Sequence, residues 1–338
     1  MYEINKNYTL DLIKLIACLQ VFLGHAINHL NIQVHSVLKV VIAMFPGVPI
    51  FFMISGYLIW NSINQSNSFT QFIKKRVWRL YPELWLAVLI SVISIVLIKP
   101  EIILIDRFLV FFITQGTVLQ FWTPECLRSF GCGAPNGALW TICVIVQSYI
   151  VLYYINLNFK RGGKQLIVIF VLSLLANILF PYLKERTPLL LYKLICQTCI
   201  PYIWLFILGV YINLYKNRIE YTTSRYWFVF MLLSFLFRYF KLVNFGIYGV
   251  VENLFLCVGI FGLVFNNGIL TFKISKDLSY EIYIYHMIII NVFIEYSLIG
   301  KPIYLVYAFF LTIILAYISY ITVGIYSSRN RFKISEGL

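Results

Sequence analysis

Charged side chains are scarce in this sequence. Only 12% of the 338 residues are Asp, Glu, Lys or Arg, whereas 61% are hydrophobic, and the mean hydropathy is +0.85. A soluble domain carries about 25% charged and about 45–50% apolar residues, so this composition does not cover a water-facing surface. It excludes intrinsic disorder, a secreted disulfide scaffold and a soluble nucleic-acid-binding protein. It predicts an all-α polytopic membrane protein, because helices satisfy their own backbone in lipid.

Acidic residues are the scarcer charge. The chain has 13 Asp and Glu against 27 Lys and Arg, which gives a net charge of +14. An excess of this kind can indicate a polyanionic partner. In a membrane protein it more often reflects basic residues that stay in cytoplasmic loops and contact anionic lipid headgroups. We therefore attribute the excess to topology and membrane lipids, and expect no nucleic-acid partner.

Cysteines are few and scattered. Five of the seven lie within apolar segments, where a thiol packs as a small hydrophobe: Cys18, Cys143, Cys196, Cys199 and Cys257. Cys196 and Cys199 form a C-x-x-C pair without a second pair or a nearby histidine, so no metal site is expected. Cys126 and Cys132 flank a polar, Gly-rich loop, and they can form a disulfide if this loop faces an oxidising compartment.

Long apolar runs dominate the sequence. A span needs about 20 mostly apolar residues, and ten segments qualify, at about 9–30, 37–60, 83–99, 139–157, 165–183, 195–215, 226–243, 247–266, 279–298 and 303–326. The first run is expected to stay as a span, because no small-residue cleavage site of a signal peptide accompanies it. An eleventh stretch, 105–122, is apolar but contains Asp106, Arg107 and Gln115.

Basic residues indicate the orientation. With both termini cytoplasmic and 105–122 not crossing, cytoplasmic loops and tails hold sixteen of the 27 basic residues: Lys6, Lys74, Lys75, Arg76, Arg79, Lys160, Arg161, Lys164, Lys216, Arg218, Arg225, Lys273, Lys276, Arg329, Arg331 and Lys333. If 105–122 crossed the membrane, the basic loop at 158–164 and the basic C-terminal tail would both lie outside, against this orientation rule. We therefore predict a re-entrant or interfacial segment there, and a site near 105–138, since broken backbone at membrane depth lines a cavity or is buried in protein. Residues 1–338 are expected to form one integral domain without a fused soluble domain.

The first span carries a polar stripe. Lys14 and His25 are eleven residues apart, which places them within about 20° on one helix face and roughly 16 Å apart along the axis. Asp11 lies on that face one turn before Lys14, and His29 lies one turn after His25. Alternatives are a Lys14 that reaches the headgroups and a His25 satisfied by a neighbouring span. The two histidines have metal spacing, but no third ligand is nearby, so zinc is not expected.

A basic pair precedes the third span. Arg76 and Arg79 lie three residues apart in a predicted cytoplasmic loop, and Pro82 is expected to help break this segment before the span. Two guanidiniums on one face suit phosphate oxygens. The pair therefore indicates either an orientation signal at lipid headgroups or a site for a phosphorylated cosubstrate.

Several further polar residues fall where exposure to lipid is unfavourable. They lie at the ends of apolar runs or within one late span: Ser55, Gly56, Asn136, Gly137, Trp140, Ser279, Glu281 and His286. Glu281 and His286 differ by five residues and are poorly aligned on a helix, so we do not pair them. Arg238 and Glu252 lie near the outer ends of consecutive spans, where they can form a structural ion pair without a chemical role.

These segments together resemble the acyltransferase-3 family of integral membrane acyltransferases, which includes bacterial O-antigen and other surface-glycan O-acetylases. Four family motifs occur in the family's order: R/K-x10-H at Lys14 and His25, a Phe-rich run ending in Ser-Gly at Phe51, Phe52, Ser55 and Gly56, R-x-x-R at Arg76 and Arg79, and S-Y-x-x-Y-x-x-H at Ser279, Tyr280, Tyr283 and His286. The chain departs from the family at W-S-L-x-x-E, where it reads WTICVIVQ, with Gln147 as the nearest polar group.

The resemblance implies acyl transfer, with acetyl-CoA as the expected cosubstrate, from the cytoplasm to a hydroxyl of an O-antigen, capsule or exopolysaccharide at the bacterial plasma (inner) membrane. It implies His25, Lys14 and Asp11 as catalytic residues, with His25 as general base or acylated nucleophile and Lys14 on an electropositive route near the CoA or the thioester oxygen. Arg76 and Arg79 would bind CoA phosphates. Substrate or supporting positions would be Ser55, Asn136, Trp140, Ser279 and His286.

Other functions remain open at this point. With Lys rather than Arg at position 14, the chain resembles the branch of polysaccharide acyltransferases and succinyltransferases as much as that of the O-acetylases, so the acyl group is not fixed. The same charges can also line a path for a glycan or a small anion in a transporter without a covalent step. A purely structural partner of a polysaccharide synthase is a third alternative, although it would have no need for a buried charged stripe.

Overall fold

The computed structural model describes residues 8–102, 105–120, 122–159, 164–241, 246–266 and 276–336, and these form α-helices without a strand. The thirteen helices are α1 (Tyr8–His29), α2 (Ser36–Met44), α3 (Gly47–Asn64), α4 (Phe69–Ile98), α5 (Ile105–Gln115), α6 (Trp140–Phe159), α7 (Lys164–Leu183), α8 (Leu189–Cys196), α9 (Ile203–Phe240), α10 (Val250–Phe265), α11 (Ser279–Glu295), α12 (Pro302–Ser319) and α13 (Ile325–Glu336). The prediction of an all-α chain is confirmed.

Six helical stretches of the described chain are long and apolar enough to cross a membrane. They are Tyr8–His29, Ser36–Asn64, Phe69–Ile98, Trp140–Leu157, Lys164–Leu183 and Pro302–Ser335. α10 is apolar but shorter. The structure therefore supports an integral membrane protein with several spans, and the count of ten stays a prediction. Four residues of the loop-charge argument, Lys6, Lys160, Arg161 and Lys273, lie outside the described residues.

Helices α3 and α9 approach each other closely in the first of two compact units. This unit comprises the described residues of Met1–Ala17, Ala43–Gln65 and Val144–Asp277. Gly56 of α3 lies against the Phe206 backbone, and Gly209 of α9 lies against the Met53 carbonyl, so neither position has room for a Cβ. Small residues at such crossings let two membrane helices approach to backbone contact. Gly56 of the Ser-Gly motif thus has a packing role.

Helix α4 is continuous through Pro82, which corrects the expectation that this proline helps break the segment before the third span. It belongs to the second unit, which comprises Cys18–Ile42, Ser66–Cys143 and the described part of Leu278–Leu338. Pro82 has no N–H for the carbonyl of Trp78, four residues earlier. The hydroxyl of Ser327 on α13 donates to this carbonyl instead. Arg76, Arg79 and the following apolar segment are therefore parts of one helix.

Helix α9 contains most of the two spans that the sequence predicts at 195–215 and 226–243. The intervening charged stretch is helical, and non-helical backbone angles occur only at Tyr226 (φ −110°, ψ 16°). No glycine or proline lies between Gly209 and Phe240, and Lys, Arg and Glu are good helix formers, so charge alone does not end the helix. The expected loop is replaced by a kink.

In the described part of 105–122, the only helix is the short α5, of 11 residues. A helix of this length extends roughly 16 Å, about half of a bilayer's hydrocarbon core. The chain then turns against α4, where Trp85 donates to the Gly116 carbonyl at 2.8 Å and Tyr81 to the Thr117 carbonyl at 3.3 Å.

Candidate active site

Three histidines gather in the second unit. The ring of His25 on α1 lies 5.6 Å from that of His29 and 5.2 Å from that of His286 on α11, measured between centroids. His286 is fully buried, His29 is exposed and His25 is half-buried. His25 is therefore the member of this cluster that has both a packed environment and access for a substrate.

The partners of His286 and His25 indicate which ring nitrogen of each histidine carries the proton. His286 Nδ1 lies 2.7 Å from the Tyr283 carbonyl, which only accepts, so Nδ1 carries the proton and Nε2 carries a lone pair. His25 Nδ1 lies 2.9 Å from the Met287 sulfur. A thioether is a weak acceptor and cannot donate. The favoured proton position is again Nδ1, which leaves His25 Nε2 as a basic nitrogen.

A polar loop is hydrogen-bonded to α11 beside this cluster. Asn136 Nδ2 donates to the Ile284 carbonyl at 2.7 Å, two residues before His286. Asn291 Nδ2 donates to the carbonyls of Ala134 and Pro135, at 2.9 Å each. A Cβ on Gly137, the residue after Asn136, would lie 4.0 Å from the Met287 methyl group. The loop after α5 thus lies beside Met287, which itself contacts His25.

The start of the same loop, at Gly131, is held by a carboxylate. Glu295, the last residue of α11, pairs with Lys99 at 2.8 Å and accepts from the Gly131 amide at 2.6 Å. Gly131 has a φ of +58° and lies against the Asn291 side chain, so the turn needs a residue without a Cβ. These bonds hold residues 130–138 without a disulfide, and all seven cysteines are free thiols.

Lys14 lies in an ion cluster of the first unit. Its ammonium contacts the Asp11 carboxylate at 2.8 Å and also the carboxylate of Asp277. The Lys14 and Asp277 side chains are only 14% and 17% exposed. Two carboxylates face one ammonium, so the formal charge of the cluster is negative. This environment makes Lys14 a partner in an ion network rather than an isolated positive charge.

Arg76 and Arg79 lie half-buried on α4, beside a pair of buried carboxyl groups. Glu83 and Glu281, each 5% exposed, are hydrogen-bonded to each other. A carboxylate only accepts, so one of the two holds a proton. Arg79 interacts electrostatically with both groups. Glu281 is thus paired within the second unit with a residue that the sequence analysis did not single out.

The remaining predicted positions have the following places. Ser55 is half-buried on α3, Trp140 is the first residue of α6, and Ser279 is buried at the start of α11. Gln147 joins α6 to the segment after α8, since it accepts from the Cys199 amide at 2.9 Å and donates to the Gln197 carbonyl at 3.1 Å. It therefore contributes structure where the family pattern has a nearby carboxylate.

The expected Arg238–Glu252 pair takes a different form. Arg238 donates to the Asn253 amide oxygen at 3.3 Å, and Glu252 acts on it electrostatically. Among the described residues, no group of three His, Cys, Asp or Glu side chains could hold a metal ion.

Sequence reasoning did not single out three residues of these clusters: Asp277, Met287 and Glu83. Met287 directly follows the S-Y-x-x-Y-x-x-H motif, Asp277 lies two residues before it, and Glu83 follows Pro82. Their position next to motif residues was the available signal. Their partners lie up to 263 residues away in the chain, as for Lys14 and Asp277, and such contacts are not visible in local patterns.

Comparison with known proteins shows the family of the chain. A family model described as an acyltransferase domain, that of the acyltransferase-3 family, matches residues 7–321. Nodulation protein 10 of Rhizobium leguminosarum bv. viciae is 25% identical over 319 residues, covering 86% of this chain and 84% of that protein. Peptidoglycan O-acetyltransferase OatA of Listeria monocytogenes is 32% identical over 130 residues, covering 36% of this chain and 21% of that protein. No solved structure matches the chain significantly. The chain belongs to the acyltransferase-3 family and is an integral membrane acyltransferase.

Proposed function

We propose that the protein is an O-acyltransferase that moves an acetyl group from cytoplasmic acetyl-CoA to a hydroxyl of a cell-surface or lipid-linked glycan. Family membership supports the acyl transfer. The similarity to a protein named as a peptidoglycan O-acetyltransferase supports the acetyl group and a glycan acceptor. The expected acceptors are an O-antigen, a capsule or an exopolysaccharide.

The observation that carries the proposal is the environment of His25. A sugar hydroxyl is a weak nucleophile and needs a base as it attacks the thioester carbonyl. With Nδ1 directed to the Met287 sulfur, Nε2 of the half-buried His25 takes the hydroxyl proton. The C–S bond then breaks, and the proton passes to the leaving thiolate. Attack by His25 itself, through an acyl-imidazole, uses the same nitrogen and is the alternative route.

His286 and the loop at 130–138 act as positioning groups in this scheme. The buried His286 ring limits the position of the His25 ring through their T-shaped contact. Asn136 fixes the α11 backbone that carries both His286 and Met287. Trp140, Ser279 and Ser55 are proposed as supporting positions.

Arg76 and Arg79 are proposed to bind the phosphates of acetyl-CoA, because guanidiniums pair with phosphate oxygens through two parallel hydrogen bonds. Lys14 and Asp11 are proposed as positioning residues. Their ion cluster includes Asp277, so Lys14 would hold the chain at Asp277 in place.

The proposed topology has ten spans in a bacterial plasma membrane, with both termini cytoplasmic. The short helix α5 and the turn after it support a re-entrant or interfacial segment, since 11 helical residues do not cross the hydrocarbon core.

The test is transfer of radiolabel from acetyl-CoA or succinyl-CoA into surface polysaccharide, in membranes from an acceptor-competent host. We expect label from acetyl-CoA with the wild type, a loss of at least a hundredfold with His25→Ala, and little change with His35→Ala, an exposed histidine matched in chemistry. Label from succinyl-CoA alone would identify a succinyltransferase. Full activity of a well-inserted His25→Ala variant would remove His25 from the chemistry, and absence of label from both donors would favour a transporter.

A further inference from the structure

Helix α13 packs antiparallel against the first turns of α4. Gln71 donates through Nε2 to the Ile334 carbonyl at 3.0 Å, and Ser327 donates to the Trp78 carbonyl. The rings of Trp78 and Tyr326 add an edge-to-face contact, with centroids 5.8 Å apart. These contacts lie on both sides of Arg331 along α13. They place Arg331 beside the part of α4 that carries the two arginines of the R-x-x-R motif.

Arg331 faces more positive than negative charge there. The groups that act on it electrostatically are the guanidiniums of Arg79 and Arg76 and the carboxyl of Glu83. All three guanidiniums are half-buried and keep contact with solvent. Arginine remains charged in proteins, so this repulsion cannot be relieved by loss of a proton.

The carboxyl groups of Glu83 and Glu281 beside the arginines carry less negative charge than the three guanidiniums carry positive charge. Glu83 and Glu281 share a proton through their hydrogen bond, so the pair contributes fewer than two negative charges. Glu83 also packs against the junction of α12 and α13, since its carboxyl oxygen lies close to the place that a Cβ of Gly324 would take. The arrangement suits an added anion with several oxygen atoms.

We propose that Arg331 is a third phosphate-binding residue, which acts with Arg76 and Arg79 on an acyl donor that carries more than one phosphate group. This inference rests on the proposed function, since it extends the donor site of that reaction. Two guanidiniums from α4 and one from α13 approach the donor from different helices. Such a site distinguishes a multiply phosphorylated thioester from a simple one.

The test compares two thioester donors in transfer assays with purified protein in nanodiscs. Acetyl-CoA carries phosphates, and S-acetylpantetheine carries the same thioester without them. For Arg331→Gln we expect the KM for acetyl-CoA to rise about tenfold to a hundredfold, with kcat nearly unchanged and no change for S-acetylpantetheine. The KM of Arg331→Lys for acetyl-CoA should lie between those of the wild type and Arg331→Gln. The control is Arg329→Gln, which removes an exposed arginine of the same helix and should change the KM less than twofold.

Each outcome decides the inference. If Arg331→Gln behaves like Arg329→Gln with acetyl-CoA, or if both donors lose activity equally, Arg331 has no role in phosphate binding. If Arg331→Gln does not fold, the KM of Arg331→Lys decides, and an unchanged value overturns the inference. If the wild type transfers acetyl groups from neither donor, the proposed function itself fails, which is distinct from a failure of Arg331 alone.

Discussion

Pro82 and Ser327 form a pair that can be tested directly. Pro82 deprives the Trp78 carbonyl of its usual helical donor, and Ser327, which is 5% exposed, donates to this carbonyl from α13. Replacing Ser327 with alanine removes this donor at a buried site. Replacing Pro82 with alanine restores an N–H four residues after Trp78, where the helix needs it.

The cost of losing Ser327 should therefore depend on residue 82. A buried carbonyl without its partner costs about 1–3 kcal/mol, whereas loss of one of two donors to the same carbonyl costs about 1 kcal/mol or less. We expect Ser327→Ala to lower the free energy of unfolding by about 1–3 kcal/mol when Pro82 is present. With Pro82→Ala the same change should cost less, which gives a coupling energy of about 1–2 kcal/mol.

The measurement is the free energy of unfolding of four proteins by denaturant titration in mixed micelles: the wild type, the two single variants and the double variant. Ser328→Ala, at the neighbouring exposed position, is the control and should have little effect. An equal cost of Ser327→Ala in both backgrounds would refute the argument. It would show that α4 passes Pro82 without support from α13, and would weaken the contact that places Arg331.

Two further predictions concern the ion cluster and the polar loop. Lys14→Ala leaves the carboxylates of Asp11 and Asp277 facing each other and should reduce stability by about 3–5 kcal/mol, whereas Lys14→Arg should keep most of both stability and activity; thermal unfolding and transfer assays measure these effects. Burial raises the pKa of the Cys132 thiol, so this thiol is protonated at neutral pH. The rate of its maleimide labelling in a Cys126→Ser background should therefore increase up to about tenfold per pH unit. A labelling rate independent of pH would contradict the burial of Cys132.

The helical class and several helix boundaries were predictable, because the apolar runs are long and their ends are polar. The predicted segments 9–30, 139–157 and 165–183 agree closely with the observed helices Tyr8–His29, Trp140–Phe159 and Lys164–Leu183. In these cases hydrophobic length alone specifies the element. Agreement of this kind needs no information about neighbouring helices.

The errors have tertiary causes. Pro82 does not break α4, since a hydroxyl on α13 satisfies the carbonyl that proline releases, and this donor is 249 residues away in sequence. The charged stretch before Tyr226 is helical, because charge disfavours burial in lipid without disfavouring the helix. Local rules describe the intrinsic preference of a segment, whereas these two segments are decided by what packs against them.

The candidate site likewise contains residues that the sequence predicts and residues that only the folded structure identifies. His25, Arg76 and Arg79 were predicted from spacing and residue type, and their roles stay predictions. Asp277 and Glu83 were missed, because a carboxylate acquires its role only from the partner that folding brings to it. A search for acidic residues within a few positions of each motif would have included both.

The pair of Glu83 and Glu281 gives the last prediction. Arg79 acts on both carboxyls, but Arg331 acts on Glu83, so Glu83 is the better site for the negative charge and Glu281 for the shared proton. Glutamine can replace a protonated glutamic acid as a donor, but it cannot replace a carboxylate opposite guanidiniums. We therefore expect Glu281→Gln to retain stability and activity, and Glu83→Gln to lower the free energy of unfolding by about 1–3 kcal/mol. Denaturant titration of the two variants measures the difference, and the opposite order would place the proton on Glu83 and leave Arg331 facing a neutral group.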